Sequence, residues 1–95
     1  MFLIRYKGLR IAASLSATRE LMKHEKTMFD MLEVLENGYD APCKRKEGTI
    51  EKWLNKGKKI YNAVIVRDYD NIMKEDVWVL IHFGKFTRRR KNEMP

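Results

Sequence analysis

The stretch Val77-Trp78-Val79-Leu80-Ile81-His82-Phe83 decides the fold. Its β-branched and aromatic side chains favour extended backbone. Trp78, Leu80 and His82 share one parity with Phe86, while Val77, Val79, Ile81 and Phe83 share the other, so both faces are apolar. A strand of that kind is either central in a sheet or an edge that another subunit covers. Upstream, residues 59–67 read as a second strand rich in Ile, Val and Tyr, and residues 68–76 as a polar turn. Residues 49–54 read as a third strand, joined to the second through the glycine-containing connection Asn55-Lys56-Gly57-Lys58.

Further upstream the texture turns helical. Leu21, Met28, Met31, Leu32 and Leu35 recur at spacings near three, four and seven, which lines one helix face. Thr27 followed by Asp30 matches a capping box and divides the segment into helices over 17–25 and 28–37. Asn37-Gly38 supplies a left-handed stop. Before the helices, residues 2–7 alternate as a short strand, with Gly8 as a bend before Leu9. Helices first and consecutive strands after them predict an α+β fold, in which two N-terminal helices pack on one face of a three- to four-stranded antiparallel meander. Ninety-five residues fit one small domain, ending in a basic tail at about 87–95.

Charge is unevenly placed. Residues 44–59 carry a balance of +5 and residues 85–95 a balance of +4, so the remaining 68 residues are slightly acidic and the whole excess of +7 comes from two short stretches. Concentrated positive charge attracts polyanions, which makes nucleic acid, and RNA in particular, the first partner to consider. Lys56, Lys58 and Lys59 of the hairpin and Lys85, Arg88, Arg89 and Arg90 of the C-terminal run are the candidate phosphate contacts. Phe86, Trp53 and Trp78 are candidate stacking rings, with Trp78 the one expected in the core. The competing account of the charge is compositional: Lys/Glu richness with only Pro42 and Pro95 as breakers also suits a protein from a hot environment.

His82 is the one residue with an acid–base role in prospect, because imidazole titrates near neutrality; the alternative for it is a satisfied structural histidine. His24, in the charged His24-Glu25-Lys26 junction, reads as surface. No spacing of His, Cys, Asp or Glu makes a metal site, and no glycine pattern makes a phosphate loop, so neither metal nor cofactor is expected. Asp68, Asp70, Glu75 and Asp76 read as a solvated turn. The single Cys43 excludes an internal disulfide and lies beside Lys44, Arg45 and Lys46. No apolar window is long enough for a membrane span, and a cytoplasmic protein is expected.

The order of elements resembles the small ribonuclease toxins of the RelE and BrnT type and their archaeal and bacterial relatives. The matching stretches are Leu21-Met22-Lys23-His24-Glu25, then residues 31–38, 60–67 and 77–90. The resemblance implies RNA cleavage in which the 2′-hydroxyl attacks the adjacent phosphate. It would make Lys85, Arg88 and Arg89 phosphate ligands and His82 the nearest proton carrier. A second expectation from a different class is a structural or assembly protein, whose helix-backed sheet builds an oligomer or docks a protein partner through the apolar last strand, Phe86 and Trp53.

Overall fold

The computed structural model describes residues 4–42 and 45–87. Six strands form one sheet in the order β1-β2-β6-β5-β4-β3, curved into a half-barrel. The strands are β1 (Arg5–Tyr6), β2 (Leu9–Ala13), β3 (Tyr39–Asp40), β4 (Thr49–Lys56), β5 (Lys59–Asp70) and β6 (Glu75–Thr87), with α1 (Leu15–Lys23) and α2 (Met28–Asn37) between β2 and β3. This corrects the expected three- to four-stranded antiparallel meander. The sheet is mixed, because β2 pairs parallel with β6, Arg10 opposite Val77 through Ala13 opposite Leu80. The two-faced apolar stretch of β6 is therefore central, held between β2 and β5.

The predicted turn over residues 68–76 is also corrected. Strand pairing continues to Asp70 opposite Glu75, and only residues 71–74 turn. Carboxylates tolerate the strand ends here because Arg10 on β2 binds both Asp70 and Glu75, while Arg67 binds Asp76. At the other end of β5 the hairpin closes on a two-residue turn, with Gly57 at φ 62°.

Both helices cover the same face of the sheet. Ala17, Leu21, Met31, Val34 and Leu35 pack there against Ala63, Ile65, Trp78, Leu80 and Phe83. Trp78 is buried in this core, its indole N–H donating to the Tyr6 carbonyl at 3.0 Å. The Thr27 side chain accepts the Asp30 amide and the Asp30 carboxylate accepts the Thr27 amide, so α2 opens on the expected capping box. Gly38 does not serve as a left-handed stop: its φ is −79°. Glycine is needed because a Cβ there would press into the carbonyl oxygens of Val34 and Trp53. The close approach of β4 to the end of α2, rather than a turn, selects the residue.

Candidate nucleic-acid interface

Register in β6 breaks once. Val64 faces His82 but Ile65 faces Leu80, so Ile81 is an extra residue on β6 and the parity flips across it. Trp78 and Leu80 lie on the helix-covered face with Phe83 and Lys85, whereas His82, Gly84 and Phe86 lie on the other with Val77 and Val79. The expectation that Trp78, Leu80, His82 and Phe86 share a face is thereby corrected.

Strand β2 ends opposite Leu80, which leaves the following residues of β6 without a strand neighbour on that side. Helix α1 takes its place. The Ser14 amide donates to the Leu80 carbonyl, and the Ser14 hydroxyl caps α1 by accepting the Ala17 amide at 3.1 Å. Helix α1 then carries Glu20 to the β6 edge, where Oε1 accepts the Phe83 amide at 2.9 Å and Oε2 lies 3.1 Å from His82 Nδ1. The carboxylate thus fixes the His82 ring through one nitrogen. The other, Nε2, turns toward Gly84 and Asn62. The His82 side chain is 45% exposed, so this ring is reachable by a ligand.

One helical turn beyond Glu20, His24 closes α1 and sets its ring against Phe83 at 6.3 Å between centroids. It is half-buried rather than the surface residue expected. Burial, followed by the charges of Lys85 and Lys23, lowers its pKa below the ordinary value, outweighing Glu20. His24 is therefore neutral at pH 7 and can accept a proton.

Tyr61, opposite Lys85 in the β5–β6 register, collects two cations. The ammonium groups of Lys26 and Lys85 lie 5.0 and 6.0 Å from its ring centroid. Among the described residues neither comes within ion-pair distance of a carboxylate, although Lys26 shares a small pocket with Asp30 and Glu33 and its charge is felt by Asp30. The hairpin lysines gather at the same end of the sheet, Lys56 opposite Lys59 and Lys59 opposite Thr87. Lys56 is neutralised by Glu33 at 2.8 Å, Lys59 donates to the Thr87 hydroxyl at 2.8 Å, and Lys58 is exposed in the turn. Arg88, Arg89 and Arg90 lie outside the described residues, as does Cys43.

Of the residues singled out in the sequence, the structure places His82, Lys85 and Lys59 at this end of the sheet, beside Glu20 and Lys26, which were not singled out, and His24, which was read as surface. A readable signal existed: Glu20 and His24 are four apart and face the same way on a helix. A cavity of about 360 Å³ lies elsewhere, between residues 40–42 and β4. Its cation Arg45 is already paired with Glu51 at 2.7 Å, so it offers no free charge. No group of His, Cys, Asp or Glu among the described residues is arranged to hold a metal ion, and none of the helices is long and apolar enough to cross a membrane. Comparison with protein families, curated proteins and solved structures finds no match to this chain.

Proposed function

We propose that this chain binds RNA at the end of the sheet where Lys26 and Lys85 converge on Tyr61, and that the adjoining histidines cleave the bound strand. The observation that carries the reading is the pair of ammonium groups at 5.0 and 6.0 Å from one ring, neither within ion-pair distance of a carboxylate among the described residues although Asp30 feels the charge of Lys26. Two cations drawn to one ring repel, and an anion such as a phosphate relieves that repulsion. In the sequence, the basic residues 88–91 follow directly after Thr87.

The chemistry available is transesterification. Neutral His24 takes the proton of a ribose 2′-hydroxyl as its oxygen attacks the adjacent phosphorus. The departing 5′-oxygen takes a proton from His82 at the β6 edge, where Glu20 holds the ring by Nδ1. The products are a 2′,3′-cyclic phosphate and a 5′-hydroxyl, and DNA, lacking the 2′-hydroxyl, is bound but not cut. Lys26 and Lys85 supply the charge that a pentacoordinate phosphorane needs.

A labelled single-stranded RNA titrated with the protein at low and moderate salt, with products separated on the same gel, tests this. Salt-sensitive binding with cleavage that His82→Ala abolishes is the expected result. Cleavage retained by His82→Ala removes the catalytic assignment and leaves binding.

A structural role is favoured by a different observation. The β5–β6 hairpin ends in exposed apolar residues, Tyr69 at 51%, Ile72 at 90% and Met73 at 61%. Assembly through that tip survives high salt and gives a particle mass above 11.4 kDa, with or without RNA.

A further inference from the structure

On the sheet face that the helices leave free, three rings form a row across β3 to β6. Tyr39 lies 6.3 Å from Trp53, and Trp53 lies 5.1 Å from Phe86, both edge-to-face. The Trp53 ring reaches Phe86 across β5, where Ile60 and Asn62 are only 8% exposed. Its position is fixed from the side: Glu51, two residues away on the same face of β4, accepts the indole N–H at 2.8 Å and the Asn62 amide at 3.1 Å, and binds Arg45 with its other oxygen at 2.7 Å. The outer members stay open, Tyr39 at 45% and Phe86 at 39% exposure. A row whose one indole donor is already satisfied offers ring faces rather than hydrogen bonds, and stacking on ring faces tolerates any base.

Phe86 also ties this row to the cationic end. Lys85 and Phe86 are consecutive on β6, so their side chains leave opposite faces of the strand. No described strand pairs with β6 on its outer side after Leu80. A chain of nucleotides crossing the β6 edge past Phe83, beyond the stretch that Glu20 of α1 covers, meets Lys85 with its phosphates and Phe86 with its bases. His82 lies on the Phe86 face four residues away, roughly 13 Å along the strand.

We infer that Tyr39, Trp53 and Phe86 are a stacking platform for the unpaired bases of single-stranded RNA, continuous over the β6 edge with the phosphate site at Lys85 and Lys26. The inference rests on the RNA-binding reading and narrows it to unpaired strands, since the bases of a duplex are stacked on one another and offer no free face.

Tryptophan emission of the full chain, titrated with a ten-nucleotide mixed-sequence RNA and with the same RNA annealed to its complement, tests the platform. The single strand quenches emission saturably, and Trp53→Phe binds it without quenching. Phe86→Leu weakens single-strand binding about tenfold and changes duplex binding less than about twofold, while Phe86→Tyr restores it. Equal losses for single strand and duplex, or quenching that persists in Trp53→Phe, overturn the platform. Single-strand binding unchanged in both Phe86→Leu and Tyr39→Leu also overturns it and leaves RNA binding intact. A wild-type chain that binds neither RNA at low salt removes the RNA reading altogether.

Discussion

Glu20 holds His82 by Nδ1 at 3.1 Å with the same carboxylate that accepts the Phe83 amide at 2.9 Å. One side chain of α1 therefore both seals the open edge of β6 and aims an imidazole. Glutamine can still accept the Phe83 amide but offers His82 Nδ1 a neutral amide in place of a carboxylate and holds the ring less firmly. Glu20→Gln is accordingly expected to melt near the wild-type temperature and to cleave RNA at least about tenfold more slowly, with affinity for the RNA little changed. A variant that cleaves at the wild-type rate would show that the contact is structural only.

His24 makes stability depend on pH in a definite direction. Its folded pKa is below the ordinary value of 6.5, because burial and then Lys85 and Lys23 disfavour the charged ring. The unfolded chain then binds more protons than the folded one just below pH 6.5, so this part of the stability is present above that pH and is lost as pH falls through it. The melting temperature should drop between pH 7 and pH 5, and His24→Gln should flatten that part of the curve. Proton NMR titration of the His24 ring gives the pKa directly; a value at or above 6.5 contradicts the burial argument.

Glu51 is the polar hub beside the aromatic row. Desolvation is the largest single influence and pushes its carboxyl up, yet the bonds from Trp53, Arg45 and Asn62 outweigh it, so the pKa lies below the usual carboxylate value. Its contribution to stability is therefore full above the unfolded pKa and lost as pH falls through the folded one. Glu51→Ala leaves the Trp53 indole N–H and the Asn62 amide without their acceptor, at a cost of about 1–3 kcal/mol for each group that stays dry. Denaturant unfolding reads that loss, and a variant within about 0.5 kcal/mol of wild type would mean that water replaces the carboxylate.

Gly38→Ala is expected to destabilise by about 1–3 kcal/mol, because the new methyl group meets backbone oxygens of Val34 and Trp53 that cannot rotate away. The backbone angle itself is not the obstacle, since φ is −79°. A stability equal to wild type would show that α2 and β4 can separate without loss.

What was legible in the sequence follows from how local each feature is. Helix α2 was readable to its ends because Thr27, Asp30 and the apolar spacing from Met28 to Leu35 are all contained within it. The β4–β5 hairpin was readable for the same reason, through Gly57. Strand β2 was not, because Leu9–Ala13 is short and gains its identity only from pairing with β6, nearly seventy positions away. The face of His82 was misread because a single bulged residue, Ile81, inverts every parity after it, and nothing in the local sequence marks that residue. Glu20 was not singled out and His24 was read as surface because their partners, Phe83 and His82, come from a distant strand.

The measurement that bears most directly on RNA binding at Lys26 and Lys85 is the salt dependence of affinity for a single-stranded RNA, in wild type and in the Lys26→Gln/Lys85→Gln variant. If each lysine holds a phosphate, the slope of log affinity against log salt becomes shallower by about 0.7 per lysine removed, and affinity at low salt falls. A variant with the wild-type slope and affinity would contradict a phosphate site on the Tyr61 ring.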